Sequence, residues 1–284
     1  MHRMQGANGL TVAADIGGDP SGPVIVLLHG GGQTRHSWKN GFEALVGAGY
    51  RVISLDARGH GDSDWDPFGD YGLDALVADL RSVLAQVPKS PILIGASLGG
   101  MTALAAVGET VEPIARALVL VDITPTFDTR GTDHIAAFTN ANLSGFADLD
   151  EVADAVARFN PNRPRPRSVS GLKRNLRERS GRFYWHWDPR FLSHGELRPD
   201  LVQVRLEAAT QRVKVPTLLI RGEQSDVVGD AEVAHFQALL PGAECITVGG
   251  AGHMVVGDRN DAFNHGILEF IASVDRRNSA DSPM

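Results

Sequence analysis

Short apolar runs alternate along the chain with segments whose apolar residues recur every three or four positions. An uninterrupted Val, Ile and Leu run predicts a strand buried on both faces, and the wider spacing predicts a helix with one buried stripe. The candidate strands are residues 24–28, 51–55, 91–94, 117–121, 217–220 and 245–248, with 10–16 as a further edge strand. The candidate helices are 73–87, 98–107, 231–240 and 261–272. This alternation predicts an α/β fold with a mostly parallel sheet and helices on both faces.

The alternation stops over residues 124–215, a span of 92 residues that is too long for a loop. Apolar residues recur at helical spacing inside this span, between Leu149 and Phe159. We therefore expect a helical cap at 124–215, inserted between two strands of a core formed by 1–123 and 216–274. The polar residues 275–284 predict a flexible tail.

The composition excludes several classes of protein. Hydrophobic residues make up 43% of the 284 residues and charged residues 21%, which excludes a disordered chain. The net charge of −7 argues against nucleic acid as a partner, because phosphate binding needs a basic face. Residues 24–28 form the longest clean aliphatic run, far short of the roughly 20 residues that span a bilayer. Because residues 1–9 also lack a signal-peptide pattern, we expect a cytoplasmic protein with no membrane span.

Neither a metal nor a cofactor is expected. Cys245 is the only cysteine, so the chain has no cysteine pair for a disulfide or a metal cluster, and its apolar surroundings predict a buried position. The sequence also lacks His-Glu-x-x-His, and it has no Gly-x-Gly-x-x-Gly that opens a nucleotide-binding unit.

The segment Gly95-Ala96-Ser97-Leu98-Gly99 lies between an apolar strand and a helical pattern. This is the context of a nucleophile elbow, a sharp turn that exposes a serine Oγ beside a helix N-terminus. Small residues two positions before and after the serine let neighbouring segments approach. An ordinary serine in a glycine-rich turn is the alternative, but the flanking strand and helix favour Ser97 as a nucleophile.

The segment His29-Gly30-Gly31-Gly32 follows the first of the buried strands. Acyl transfer needs two backbone N–H groups that stabilise the oxyanion of a tetrahedral intermediate. One belongs to the residue after the nucleophile, Leu98, and the other to a glycine-rich loop after an earlier strand. We expect Gly31 to be this second donor, with Gly32 as the alternative, and His29 to be structural.

A serine hydroxyl is a weak nucleophile and needs a base. His253 lies in a glycine loop directly after the last predicted strand, which places it at the C-terminal edge of the sheet where Ser97 also emerges. His60 also lies in a loop after a strand and is the runner-up.

The base in turn needs a carboxylate that orients its ring. Asp226 follows the strand at 217–220 and gives the chain order Ser, Asp, His, so we expect it to be the acid. Glu223 in the same loop and Asp122 at the end of the strand at 117–121 remain alternatives.

With these motifs, the chain resembles the α/β-hydrolase superfamily over about residues 10–272. The loop 29–32, the elbow at Ser97 and Gly252-His253 carry the resemblance, and the segment 56–63 looks like a loop that is structural in this family. The resemblance implies an α/β-hydrolase fold with a helical cap after the sixth strand. The family is too broad to give the substrate, but the candidate nucleophile, base and oxyanion donors together predict a serine hydrolase that cleaves a small carboxylic ester through an acyl-enzyme.

Other activities of this superfamily remain open. The serine triad is shared by perhydrolases or haloperoxidases and by carbon–carbon bond hydrolases, so these activities stay open. Epoxide hydrolases and haloalkane dehalogenases are excluded, because they attack with an aspartate where this chain has Ser97. A ligand receptor ranks below the enzymes, because receptors on this scaffold usually lose a triad member or an oxyanion donor. The expected partner is a small acyl substrate, with a homodimer as an open alternative.

Two features of the predicted cap bear on the substrate. Nine basic residues and a single acid lie between Arg158 and Arg182, and we favour a solvated helix face over an anion-attracting rim. The aromatic run 183–187 supplies Trp185 and Trp187, which we expect to contact the substrate together with Trp38. Packing within the cap's own core is the alternative for these aromatic rings.

Overall fold

Eight of the described strands form one sheet in the computed structural model of the protein. The structure describes residues 1–88, 90–128, 134, 137–138, 140–159, 165, 172–173, 175–192, 198–253 and 260–280. The strands in chain order are β1 (His2–Gln5), β2 (Thr11–Gly17), β3 (Val24–Leu28), β4 (Arg51–Leu55), β5 (Ile92–Ala96), β6 (Ala117–Val121), β7 (Leu176–Arg179), β8 (Arg182–Trp185), β9 (Thr217–Gly222) and β10 (Glu244–Val248). The large sheet has the order β1-β2-β4-β3-β5-β6-β9-β10, and β7 and β8 form a separate hairpin. The pairs β1–β2 and β2–β4 are antiparallel, and the other pairs of the large sheet are parallel.

Helices cover both faces of the large sheet. They are α1 (Lys39–Gly47), α2 (Leu73–Leu84), α3 (Leu98–Gly108), α4 (Leu149–Phe159), α5 (Pro199–Thr210), α6 (Asp230–Leu239) and α7 (Asn260–Ala280). Because alternate residues of a strand point to opposite faces, Val24 and Val26 pack with α2, α3, α5 and α6, whereas Ile25 and Leu27 pack with α1 and α7. The predicted α/β fold is confirmed. Within the described ranges, no helix is both long and apolar enough to cross a membrane.

Three differences from the sequence-based expectations concern the margins of the fold. The polar strand β1 pairs outside β2, so the predicted edge strand at 10–16 lies inside the sheet. Cys245 is exposed rather than buried, because β10 is itself the last strand of the sheet. The helix α7 runs past the predicted start of the tail, and Asp275 accepts a hydrogen bond of 2.6 Å from the Tyr50 hydroxyl. Residues 281–284 lie outside the described residues.

The parallel register brings the carboxyl ends of β5, β6, β9 and β10 to one edge of the sheet. Ala96 pairs with Val121, Val121 pairs with Ile220, and Gly222 pairs with Val248. Residues that directly follow these strands therefore meet at this edge, where binding sites of open α/β sheets are found.

The described residues within 146–192, which we call the cap, have a core of their own. This core contains Phe146, Val152, Ala155, Trp185 and Trp187, and a single bridge joins Phe146 to Phe183 of the hairpin. The sequence predicted a helical cap. The cap also contains the β7–β8 hairpin, because the aromatic run 183–187 begins within strand β8. Val202 and Leu206 of α5 pack in the main core, so this helix belongs to the layers around the sheet although it lies within the predicted cap span.

The loop after β4 is held to α2 by a buried ion pair. Arg58 Nε lies 2.6 Å from Asp79 Oδ2, and a second guanidinium nitrogen donates to Asp79 Oδ1 at 2.8 Å. Both side chains are buried, and Asp79 Oδ1 also accepts the Ala7 N–H. The pair therefore fixes the segment that follows β4 against the body of the fold.

We expect Asp79→Ala to lower the free energy of unfolding by about 3 kcal/mol, because the buried Arg58 guanidinium would keep only the more distant Asp66 carboxylate, at 3.5 Å, as a charged partner. Urea denaturation followed by circular dichroism measures this loss. The control is Asp200→Ala, which removes an exposed pair with Arg198 and should leave the midpoint unchanged. Equal midpoints for Asp79→Ala and the unaltered protein would contradict the importance of this pair.

Candidate active site

Ser97 occupies a strained turn between β5 and α3. Its backbone has φ 45° and ψ −114°, a conformation that is costly for any residue with a Cβ and that is often found at functional sites. Close packing of backbone makes the flanking glycines necessary. A methyl group on Gly95 would lie 2.4 Å from the Gly99 carbonyl oxygen, and one on Gly99 would lie 2.4 Å from the Leu28 carbonyl oxygen. This is the geometry that the elbow motif predicts.

His253 follows β10 and is oriented by a carboxylate. Its Nδ1 lies 2.6 Å from Oδ2 of Asp122, which follows β6. Nδ1 therefore carries a proton, and Nε2 of the neutral ring is left as an acceptor. Burial lowers the pKa of His253, but the hydrogen bond and the charge of Asp122 outweigh burial and raise it above its ordinary value, with a smaller contribution from the charge of Asp226.

The Asp122 carboxylate is buried and accepts hydrogen bonds from three sources. Its Oδ1 accepts the Gly222 N–H at 2.8 Å, and its Oδ2 accepts the Ser225 hydroxyl at 2.5 Å as well as the His253 ring. Its backbone adopts φ 50°, which turns the chain sharply at the end of β6. A buried carboxylate needs such donors to offset the loss of hydration.

The carboxylate in contact with His253 is not that of Asp226, the residue expected from the sequence. Asp226 is exposed, and the carboxylate on His253 Nδ1 belongs to Asp122. Glu223, the other alternative, accepts the Gly250 N–H at 2.8 Å and so holds the glycine loop that precedes His253. Asp122 reaches the His253 ring because β6 lies between β5 and β9 in the sheet, which the order of residues along the chain does not reveal.

The backbone hydrogen bonds of the loop 30–32 single out one donor. The Gly30 N–H donates to Gln33 Oε1 at 3.3 Å, and the Gly32 N–H donates to His60 Nε2 at 3.1 Å. Within the described part of the chain, the Gly31 N–H has no acceptor. Leu98 is the first residue of α3, where backbone N–H groups have no partner within the helix. The Leu98 side chain lies near Gly31, because a methyl group on Gly31 would lie 4.0 Å from Leu98 Cδ2.

Three buried histidines surround this loop. Each accepts a backbone N–H group at 2.8–3.1 Å: His29 that of Ala57, His60 that of Gly32, and His186, which belongs to the cap, that of Gly61. Burial lowers the pKa of all three rings, that of His60 to about 3, so they are neutral acceptors at neutral pH.

His29 and His60, two of the histidines considered in the sequence analysis, use their ring nitrogens to hold backbone groups. His29 has hydrogen bonds at both ring nitrogens, to Gly30 and Ala57, which agrees with its expected structural role. His60, the runner-up base, is fully buried, and both of its nitrogens are also engaged, with Arg58 and Gly32. Of the three histidines considered from the sequence, His253 has a carboxylate on Nδ1, the arrangement that a general base needs.

Aromatic side chains of the cap cover the glycine loop. Methyl groups on Gly31 and Gly32 would lie 3.6 Å from the Phe191 ring and 3.5 Å from the Trp187 ring. Trp187 thus lies beside the site, whereas Trp185 stacks on Trp187 and belongs to the core of the cap. Phe191 was not predicted from the sequence, because it lies just beyond the aromatic run 183–187 and carries no motif.

Trp38 does not line the site. It is 1% exposed and packs against Phe263 of α7 in the core beneath the sheet, which contradicts its expected contact with substrate. The sequence around Trp38 could not show this, because Trp38 and its partner Phe263 on α7 are far apart along the chain.

Contacts within the protein engage several basic residues of the cap. Arg165 pairs with Asp150 and Asp154, Arg177 donates to the Gly61 carbonyl, and Arg182 donates to the Ser144 and Gly145 carbonyls. Arg163, Arg167 and Arg174 lie outside the described residues. Among the residues that the structure does describe, no group of three or more His, Cys, Asp or Glu side chains is arranged to hold a metal ion.

Comparisons with known proteins agree with this fold. The sequence model of the alpha/beta hydrolase fold family matches residues 23–259. An sn-1-specific diacylglycerol lipase of Mus musculus is 32% identical over 266 residues, which cover 90% of this chain and 83% of that protein. An esterase of Mycobacterium tuberculosis is 29% identical over 227 residues, 76% of this chain and 71% of that protein. The crystal structure of E-2-(acetamidomethylene)succinate hydrolase has the same fold, with a TM-score of 0.82 and 24% identity over 95% of this chain and 98% of that one.

The chain therefore belongs to the alpha/beta hydrolase fold family, as the resemblance of its motifs predicted. The two sequence relatives are named a lipase and an esterase, which agrees with the predicted enzyme class, a hydrolase of ester bonds.

We expect the histidines around the site to titrate in two classes. His253 should titrate above its ordinary pKa of 6.5, because Asp122 outweighs burial, whereas His60 should stay neutral until the pH approaches about 3. NMR spectra of the ring protons recorded against pH measure both values. Asp122→Asn should lower the pKa of His253 and leave that of His60 unchanged, and a His253 ring that titrates below 6.5 in the unaltered protein would contradict the contact.

Proposed function

We propose that this protein is a serine esterase that cleaves esters of small carboxylic acids through an acyl-enzyme, with Ser97, His253 and Asp122 as its catalytic triad. The hydrogen bond of 2.6 Å between His253 Nδ1 and Asp122 carries the proposal. It supplies an oriented base at the sheet edge from which a strained serine emerges. The choice of a small acyl group rests on Phe191 and Trp187, which lie against the glycine loop. The proposal includes the cap as a lid over the site and the cytoplasm as the place of action.

The reaction proceeds by acyl transfer to Ser97 and then to water. His253 Nε2 removes the proton of the Ser97 hydroxyl as Oγ attacks the ester carbonyl carbon. The oxyanion that forms accepts hydrogen bonds from the N–H groups of Gly31 and Leu98. The carbon–oxygen bond to the alcohol then breaks, and the imidazolium returns its proton to the departing alcohol. A water molecule, deprotonated by His253, attacks the acyl-enzyme and releases the carboxylic acid and Ser97.

Asp122 acts through the ring of His253. It keeps the proton of the neutral imidazole on Nδ1, so that Nε2 is the acceptor, and it stabilises the imidazolium that forms during each step. The Ser225 hydroxyl and the Gly222 N–H hold the carboxylate in place through hydrogen bonds of 2.5 and 2.8 Å.

We expect Ser97→Ala to reduce kcat for p-nitrophenyl esters by about 10⁴-fold or more, because the nucleophile is lost. Initial rates with acetate, butyrate, octanoate and palmitate esters measure this loss and the acyl preference together. The unaltered enzyme should turn over acetate and butyrate faster than the longer esters. Circular dichroism checks that Ser97→Ala is folded. Turnover by this variant at the rate of the unaltered enzyme would exclude Ser97 as the nucleophile.

Two matched variants separate the candidate acids. Asp122→Asn should lower kcat by about three to four orders of magnitude, since the ring of His253 loses its orienting charge. Asp226→Asn should keep the plateau value of kcat/KM and move its acidic limb to lower pH, because it removes one charge that raises the pKa of His253. A severe loss in Asp226→Asn with near-normal kcat in Asp122→Asn would reverse the assignment.

A further inference from the structure

We infer that His60 is a positioning residue for the oxyanion loop, fixing the backbone on one side of Gly31 so that its N–H points into the site. This inference rests on the proposed acyl transfer and adds a residue to it. His60 lies in the loop after β4 and does not face the reacting atoms, because both of its ring nitrogens are engaged elsewhere.

Hydrogen bonds hold the peptide units on both sides of the Gly31 Cα. On one side, the Gly30 carbonyl accepts His29 Nδ1 at 2.8 Å and the Gln33 N–H at 3.1 Å. Because the C=O and N–H of a trans peptide point in opposite directions, these contacts direct the Gly31 N–H away from His29. On the other side, the Gly32 N–H donates to His60 Nε2 at 3.1 Å. Glycine has the widest backbone freedom, so a run of three glycines needs such contacts to keep one conformation.

The ring of His60 is arranged to be a permanent acceptor. Its Nδ1 donates to the Arg58 carbonyl at 3.1 Å, which leaves the lone pair on Nε2 for Gly32. Burial and the neighbouring ring of His29 lower the pKa of His60 to about 3, so the lone pair is not lost to a proton in the pH range where His253 acts as a base. A lysine or an arginine could not serve here, since neither accepts a hydrogen bond.

Contacts from the cap hold the segment around His60. The Asp188 N–H donates to the Gly59 carbonyl at 2.8 Å, and the Gly61 N–H donates to His186 Nδ1 at 2.8 Å. The Phe191 ring meets the His60 ring edge-on, with centroids 4.5 Å apart. The segment around His60 thus contacts the cap on one side, and the His60 ring contacts the oxyanion loop on the other.

The test is His60→Phe, which keeps a planar ring and removes the acceptor. We expect kcat for p-nitrophenyl butyrate to fall by about 10- to 100-fold with KM within about twofold, because an oxyanion donor acts mainly in the transition state. The affinity for phenylboronic acid, which adds to the Ser97 oxygen and mimics the tetrahedral intermediate, should fall in parallel. If His60 had a purely structural role, His60→Phe would lower the free energy of unfolding but would not reduce kcat and the boronic acid affinity in parallel.

Two matched variants accompany this test. His60→Gln places an amide oxygen near the position of Nε2 and should recover most of the kcat. His265→Phe makes the same substitution at an exposed site on α7 and should leave both constants unchanged. Normal kcat and boronic acid affinity in His60→Phe would overturn the inference while the esterase proposal stands. Absence of both turnover and boronic acid binding in the unaltered protein would overturn the two together.

A measurement on the unaltered protein covers the case in which His60→Phe does not fold. NMR of the ¹⁵N-labelled chain should show a scalar coupling between the Gly32 amide nitrogen and His60 Nε2 across their hydrogen bond. It should persist from pH 5 to 9, because the pKa of His60 is about 3. Absence of the coupling, or a His60 ring that carries its proton on Nε2, would overturn the inference.

Discussion

The carboxylate of Asp122 connects the ends of three parallel strands. It follows β6, accepts hydrogen bonds from Gly222 at the end of β9 and from Ser225 beyond it, and contacts the His253 ring after β10. A charge buried at this depth is tolerated only when donors replace its lost hydration, and here those donors are the groups that must be positioned. The orientation of the His253 ring and the arrangement of the loops around it therefore depend on one side chain.

Backbone hydrogen bonds around Ser97 hold the serine at the same edge of the sheet as Asp122 and His253. The Ser97 N–H donates to the Val121 carbonyl and the Gly99 N–H donates to the His29 carbonyl, both at 3.1 Å. These bonds hold the strained serine between the strand that leads to Asp122 and the loop that presents Gly31, which is how a protein maintains a costly backbone conformation. The Phe191 and Trp187 rings lie beside this loop, so apolar surface faces the backbone N–H groups there.

The sequence predicted the elements near the site more accurately than those at the margins. The strands at 24–28, 51–55 and 117–121 were predicted with their observed bounds, because a continuous apolar run has a sharp beginning and end. Strand β1 and the β7–β8 hairpin were missed, since their residues are mostly polar or half-exposed and their pairing depends on partners elsewhere in the chain.

Local chemistry in the sequence determined the family, the strained serine, the glycine loop and the candidate base, since each is recognised from residues that lie within a few positions of one another. Only the tertiary structure placed Asp122 rather than Asp226 on His253 Nδ1, buried Trp38 in the core, and brought Phe191 and His60 to the glycine loop. The partner of His253 Nδ1 is 131 residues away along the chain. Contacts at that separation depend on which strands lie side by side in the sheet, and the order of residues in the sequence does not specify that arrangement.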